Sequence, residues 1–276
     1  MKLFITGASG YLGGEFIKYY KNKISKAYLV TRKKIKIKDN RIKILTGPIS
    51  KNWKVEMKDS DVLIHFAAAG VNDKKITYKA AYQFNVTESF KLFKNAERNN
   101  LKKWIIVGSS SEYGSLSKKK LNINSRPYPK CNYGKTKYIF SKKIIDFSKK
   151  KKCFCRVLRI FPVYGLGEPK HRLYPSLMKS IKYSKNFVLK NGDQLNDFSE
   201  IKTVIRKIYQ SAHFKKGIRK YAQIWHIASG KSYLLRDFVK KIWKKKGAKG
   251  KLIIIPQSNK NLIHHASNIK SIWYNS

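Results

Sequence analysis

A chain of 276 residues, 42% hydrophobic and 13% aromatic, has material for one large α/β domain or a nucleotide domain with a small partner, and this excludes wholesale disorder. Sixty-two Lys and Arg stand against 15 Asp and Glu, a net charge of +47 that would attract nucleic acid, anionic lipid or phosphorylated metabolites. No apolar run is long enough for a transmembrane helix, and the cysteines Cys131, Cys153 and Cys155 form neither a zinc pattern nor an even disulfide framework, so neither a membrane span nor a metal site is expected.

The chain enters a strand at once, Leu3 to Thr6, leaving no room for a signal peptide and predicting a cytosolic protein. Further apolar runs predict strands at Ala27 to Thr31, Ile42 to Leu45, Val62 to Phe66, Trp104 to Val107 and Cys153 to Ile160. Helical patterns fall between them at Tyr11 to Tyr20, Tyr78 to Asn99 and Tyr133 to Lys149. Alternation of this kind predicts an α/β fold with a doubly wound parallel sheet, its strands apolar throughout because helices cover both faces. After Gly165 the rhythm changes: a helix Leu173 to Tyr183, a strand Phe187 to Leu189, a helix Lys202 to Phe214, a strand Ile224 to Ile227, a helix Leu234 to Lys245 and a strand Leu252 to Ile255. The predicted organisation is a dinucleotide-binding domain over 1–165 and a smaller, mainly substrate-binding α/β region over 166–276, with about 198–228 returning to the first domain.

Thr6-Gly7-Ala8-Ser9-Gly10-Tyr11-Leu12-Gly13 places Gly-x-x-Gly-x-x-Gly between the first strand and the first helix. Glycine there allows a tight turn and lets backbone approach a pyrophosphate at the positive helix end. The second strand ends in Val30-Thr31-Arg32-Lys33-Lys34 with no carboxylate before Asp39. Arg32 can bind a 2′-phosphate that a carboxylate would repel, so NADP is favoured over NAD. Tyr133 and Lys137 sit one helical turn apart, where an ammonium would stabilise a phenolate and bring the tyrosine pKa down. Ser109-Ser110-Ser111-Glu112 follows a buried strand, where a doubly wound sheet places its ligands, and a serine there can hydrogen-bond a substrate oxygen. His65 and the tryptophans Trp225, Trp243 and Trp273 read as packing, and His264 and His265 as solvated surface. Cys153 and Cys155 read as buried thiols. The 52 lysines are dispersed, the longest run being Lys149 to Lys152, which favours background composition over a surface selected for nucleic acid.

With the glycine loop, Asp61 to Ala68, Asn85-Val86-Thr87, Ser109 to Gly114, Tyr133 with Lys137, Arg159 to Gly165 and Gly192 to Phe198, the sequence resembles an extended short-chain dehydrogenase/reductase of the NAD-dependent epimerase/dehydratase family, whose members act on nucleotide sugars. The resemblance implies a Rossmann fold and a catalytic Ser-Tyr-Lys set. Tyr133 would exchange a proton with the sugar oxygen, and Lys137 would hold the nicotinamide ribose. The serine would be Ser110 by alignment on Glu112 or Ser109 by counting back from Tyr113; Ser110 is preferred. The cofactor would lie on Gly7, Ser9, Gly10, Tyr11, Leu12, Gly13, Arg32, Ala67, Ala68, Lys137 and Val163. The substrate would meet Ser109, Glu112, Tyr133, Arg172 and Asn196. Pro162, Pro48 and Asn196 depart from the family's usual Asn, Asp and Arg, and Arg172 or Lys190 would replace the missing pyrophosphate clamp.

These residues imply hydride transfer at C4 of a nucleoside-diphosphate hexose, such as a 4-keto-6-deoxyhexose, by a reductase or epimerase. A 4,6-dehydratase is one alternative, discriminated by Glu112; a non-catalytic NADP-binding basic protein is another. The resemblance further implies a homodimer through the Tyr78 to Asn99 and Tyr133 to Lys149 helices, and a setting in polysaccharide synthesis.

Overall fold

The computed structural model describes residues 1–32, 35–71, 75–114, 121–214 and 220–255, together with the backbone of 264–265. The first half of the chain runs β1 (Lys2–Thr6), α1 (Tyr11–Tyr20), β2 (Lys26–Thr31), β3 (Ile42–Thr46), α2 (Lys54–Lys58), β4 (Val62–His65) and α3 (Tyr78–Tyr82). A π-helical turn, Gln83–Glu88, carries α3 into α4 (Ser89–Arg98), and β5 (Lys103–Ser109), α5 (Asn132–Lys150) and β6 (Phe154–Ile160) follow. Then come β7 (Val163–Tyr164), α6 (Leu173–Lys182), β8 (Phe187–Lys190), β9 (Leu195–Asp197), β10 (Ser199–Glu200), α7 (Ile201–Ser211) and β11 (Ala222–Ile227). The last elements are β12 (Ser232–Leu234), α8 (Leu235–Lys245), β13 (Leu252–Ile255) and β14 (His264–His265).

Seven strands form one parallel sheet in the order β3-β2-β1-β4-β5-β6-β11. Side chains of a strand alternate between faces, so each face carries its own core. Leu3 and Ile5 of β1 pack with Phe16 and Ile17 of α1 and with Val204, Ile205 and Ile208 of α7. Phe4 packs on the other face with Leu92 and Phe93 of α4 and Phe140 and Ile144 of α5. Cys153 and Cys155 are buried in that second core. The strand order reverses between β1 and β4, and a doubly wound sheet opens a crevice at such a point, beyond the strand C-termini.

The smaller region is built around Leu177, Leu189, Phe238 and Val239, between α6, α8 and the parallel pair β8–β13. There β9 pairs antiparallel with β12 and parallel with β14. β10 pairs with β7, and α7 then leads the chain back to β11 at the edge of the main sheet. Among the described residues no helix is long and apolar enough to cross a membrane.

The predicted helix Tyr78 to Asn99 is interrupted by the π turn. Asn85 lies in it, donating to the Ala69 carbonyl (3.0 Å) and to Thr136 Oγ1 (3.0 Å) and accepting from the Ala69 amide (2.8 Å). The extra residue in the turn accommodates a side chain committed to two other segments. The helix α2 and the two- and three-residue strands were not anticipated, because so few residues carry no readable period. Lys33, Lys34, Trp273 and the side chains of His264 and His265 lie outside the described residues.

Candidate active site

The loop from β1 to α1 is shaped by contacts that only glycine permits. Gly7 has φ +76°, and a Cβ there would stand 2.5 Å from the Ala67 nitrogen. A Cβ on Gly13 would stand 2.4 Å from the Gly7 carbonyl oxygen. Backbone therefore packs directly on backbone at the N-terminus of α1, the arrangement that lets amides face a pyrophosphate. The loop turns through a Gly10 N–H donated to the Gly7 carbonyl (3.0 Å). Ser9 is exposed and accepts from Thr31 Oγ1 at 3.3 Å; Leu12 is half-buried. Ala67 and Ala68, half-buried, follow β4.

At the end of β2, Arg32 is exposed with its guanidinium 5.1 Å above the Phe84 ring. The nearest carboxylate in sequence, Asp39, is bound to Arg41 (2.8 and 2.9 Å). His65 is buried, meeting Thr6 Oγ1 at 2.7 Å and Ser89 Oγ at 3.1 Å. The Ser89 hydroxyl donates to the Phe84 carbonyl, so it accepts from His65 Nε2–H, leaving Nδ1 to accept from Thr6. Burial holds this imidazole neutral, in keeping with a packing role.

Helix α5 presents Tyr133 and Lys137 from its first turns, toward the end of β5. Cys131 caps the helix, its sulfur accepting from the Gly134 amide at 3.3 Å. Lys137 is 2% exposed and donates from Nζ to the Val107 carbonyl at 2.7 Å. Burial takes its pKa down to about 8, opposed by the charge of Glu112. Ser109 acts on the Tyr133 phenol. Burial raises the Tyr133 pKa; Ser109 and the charge of Arg172 oppose this. The expected depression of the tyrosine by Lys137 is therefore corrected for the ligand-free protein: desolvation of the phenol outweighs its neighbours, and the lysine points at a backbone carbonyl.

The end of β5 separates the serines and places Glu112. Ser109, the last residue of β5, is the serine felt by Tyr133; Ser110 is buried at the start of a 3₁₀ turn, Ser110–Glu112. Glu112, expected on the substrate side, is turned into the protein. It is fully buried and closes a capping box in which its Oε1 accepts from the Ser109 amide at 3.0 Å. Its Oε2 accepts from Arg159 Nε at 2.9 Å. Arg159 Nη1 donates to the Tyr113 hydroxyl (2.7 Å), which meets His226 Nε2 at 2.6 Å. The motif Ser109-x-x-Glu112 before a helical turn carries the capping signal, and Arg159 on the neighbouring strand β6 had none.

Arg172 caps the N-terminus of α6 and is 44% exposed, 3.8 Å from Glu168. Its charge is felt at both Tyr133 and Tyr11. Val163 opens β7, paired with Ser199 of β10. Asn196 is buried on β9 and donates to the Gln194 carbonyl at 3.4 Å, just before its own strand. Among the described residues no group of three or more His, Cys, Asp or Glu could hold a metal ion.

The model of the NAD-dependent epimerase/dehydratase family matches residues 3–224. The chain belongs to this family. It is 25% identical over 248 residues to a dTDP-6-deoxy-L-talose 4-dehydrogenase (NAD(+)) of Aggregatibacter actinomycetemcomitans, covering 87% of this chain and 88% of that protein. It is 23% identical over 223 residues to a UDP-arabinose 4-epimerase homologue of Arabidopsis thaliana, covering 71% of this chain but only 50% of that protein. In structure it resembles MoeE5 in complex with UDP-glucose and NAD, with a TM-score of 0.84 at 19% identity, covering 98% of this chain and 90% of that one. At that identity the likeness is one of fold. The family is one of nicotinamide-dinucleotide enzymes, and the glycine cradle at Gly7 and Gly13, which any Cβ would fill, fits that cofactor.

Proposed function

We propose that the protein transfers hydride at C4 of a nucleoside-diphosphate hexose, acting as a ketoreductase or epimerase on a 4-keto-6-deoxy or related sugar. The observation that carries this reading is the buried Lys137 one helical turn from Tyr133, whose phenol feels Ser109, beside a glycine loop shaped for a dinucleotide. Relatives named as a 4-dehydrogenase and a 4-epimerase support the position of attack.

The bound dinucleotide supplies or accepts the hydride. Burial keeps the Tyr133 phenol protonated, so it stands ready to donate its proton to a C4 ketone oxygen, with the Ser109 hydroxyl holding that oxygen in line. The Lys137 ammonium holds the nicotinamide ribose and supplies positive charge to the phenolate left behind. Arg172 takes the sugar nucleotide's diphosphate, a bidentate task suited to a guanidinium, and a net charge of +47 raises the local concentration of such anions. Arg32, with no carboxylate beside it in β2, selects NADP over NAD. A dehydratase would need a free acid in the serine cluster; both oxygens of Glu112 are occupied, which favours the reductase or epimerase.

The test follows NADPH and NADH absorbance against a panel of nucleoside-diphosphate sugars and their 4-keto-6-deoxy forms. Turnover is expected in the parent and absent in Tyr133→Phe. Ser109→Ala should lower kcat by about 100-fold, whereas Ser110→Ala should leave kcat within about threefold. No turnover with any sugar despite tight cofactor binding would refute the reading. We further propose that α3–α4 and α5 pair two copies into a dimer, lending Tyr78, Tyr138 and Ile139 to the contact; light scattering at the dimer mass is the expected result.

A further inference from the structure

Three polar atoms are buried without a hydrogen-bond partner at the junction of α1 and the loop leading to α6: the Tyr11 hydroxyl, Glu15 Oε2 and Glu168 Oε2. Gly167, with φ +82°, lies so close to α1 that a Cβ there would stand 2.5 Å from Glu15 Oε1. That contact brings the two carboxylates of a carboxylate-poor chain to one junction. Glu168 is 7% exposed at its side chain, and among the described residues its ion-pair partner is Arg172, at a loose 3.8 Å. Lys18, 61% exposed, stands 3.7 Å from Glu15. Tyr11 and Tyr174 complete the surroundings of Glu168 and both feel its charge.

Arg172 thus has two claimants. In the ligand-free protein it partly neutralises a buried carboxylate, and its exposure and reach toward Tyr133 also aim it at the substrate. A guanidinium drawn bidentately onto a diphosphate shares its charge with that dianion and loosens its already long 3.8 Å hold on Glu168, and a buried carboxylate so deprived takes up a proton.

We propose that Glu168 is a positioning residue that holds Arg172 until a nucleoside diphosphate arrives, and that transfer of Arg172 to the diphosphate is accompanied by uptake of one solvent proton on Glu168. This rests on the reading above that Arg172 binds the substrate's diphosphate. In the ligand-free state burial has already pushed the Glu168 carboxyl up to about 7, against the pull of Arg172. Removing Arg172 raises it further. The complex therefore holds more protons than the free protein above pH 7, so affinity is flat below that pH and weakens as pH rises through it.

The experiment is calorimetric titration of the cofactor-loaded protein with the β-methyl esters of uridine and thymidine diphosphates, which carry no group that titrates near pH 7, in buffers of different ionisation enthalpy. From a free-state value of about 7, uptake of roughly 0.7 proton is expected at pH 7.5 and roughly 0.1 at pH 6, with Kd rising by up to about tenfold per pH unit above 7. Glu168→Gln should abolish the uptake and flatten Kd against pH. Infrared spectra of the ligand-free protein should show a carboxylic-acid C=O band that titrates near pH 7 and disappears in Glu168→Gln. Diphosphate binding with no dependence on buffer would overturn the coupling and leave the proposed substrate class standing. An infrared band lost in Glu15→Gln and kept in Glu168→Gln would overturn the assignment to Glu168. Absence of any diphosphate binding beside intact cofactor binding would overturn the substrate reading itself, and the coupling with it.

Discussion

Replacing Glu112 by Gln tests whether the buried ion pair behind β5 sets the position of Ser109. The carboxylate is 0% exposed and its partner Arg159 is 3% exposed, so neither charge has water to fall back on. One oxygen accepts from the Ser109 amide and the other from Arg159 Nε, at 3.0 and 2.9 Å. Glutamine preserves the shape but turns an NH₂ group toward one of these two donors and leaves the guanidinium without a counter-charge. Removing one member of a buried pair costs about 3–5 kcal/mol. Because Arg159 keeps its bond to Tyr113, the low end applies, about 3 kcal/mol, or about 1 M in urea midpoint at a slope near 3 kcal/mol/M. The assay is urea unfolding, with kcat and the Kd for NADPH measured where the variant is folded. A drop in kcat with Kd unchanged is expected, since only the serine side of the site moves. Glu112→Leu combined with Arg159→Met should recover stability but not kcat, because the Ser109 amide still lacks its acceptor. A cost below about 1 kcal/mol, or a kcat within twofold of the parent, would refute the reasoning.

Lys137→Met should abolish turnover while stabilising the ligand-free protein at pH 7 by about 1–3 kcal/mol in thermal unfolding. The folded pKa of Lys137, about 8, lies below its unfolded 10.5, so charging it in the fold costs free energy below pH 8 and the parent gains stability as pH rises from 8 to 10.5. The variant should lose that rise, and a variant less stable than the parent at pH 7 would contradict it. Gly13→Ala puts a methyl 2.4 Å from the Gly7 carbonyl and should weaken NADPH binding, read by its fluorescence, by at least about tenfold. Of the three thiols, the exposed Cys131 alone should react within minutes with a disulfide reagent in the native protein; burial pushes Cys153 up to about 11 and raises Cys155 as well.

Most of the Rossmann half was readable because its signals are periodic and contiguous. The predicted helix Tyr11 to Tyr20 coincides with the observed one, as does strand Leu252 to Ile255 in the smaller region, and the main-sheet strands differ by one or two residues at their ends. The parallel sheet follows from strands apolar on both faces, a property that Leu3, Phe4 and Ile5 already display in three consecutive residues. The glycine loop was legible because a backbone contact such as Gly13 against Gly7 leaves only one residue type that fits. The serine cluster was harder. Three serines in a row differ only in where the strand ends and the turn begins, and that boundary is set by Glu112 reaching back to the Ser109 amide and across to Arg159, 47 residues away. The Glu168 junction could not be read at all, since its neighbours come from α1 and no local pattern announces a carboxylate packed against a distant glycine.

The composition explains why carboxylates say more about this protein than lysines do. Fifty-two lysines make any Tyr-x-x-x-Lys match weak by itself, and Lys137 is distinguished by being buried rather than by being a lysine. With 15 acidic residues in the whole chain, each buried one carries a task. Asp197 accepts from the Ser229 amide and hydroxyl and from the Gly230 amide at 2.7–2.8 Å, tying the small region to the turn after β11. Glu112 holds the amide of Ser109, the serine felt by Tyr133. Glu15 and Glu168 meet where the phosphate loop's helix touches the loop that bears Arg172. The buried ones fasten one segment to another, so in a chain this basic the site is best located by following its few buried acids.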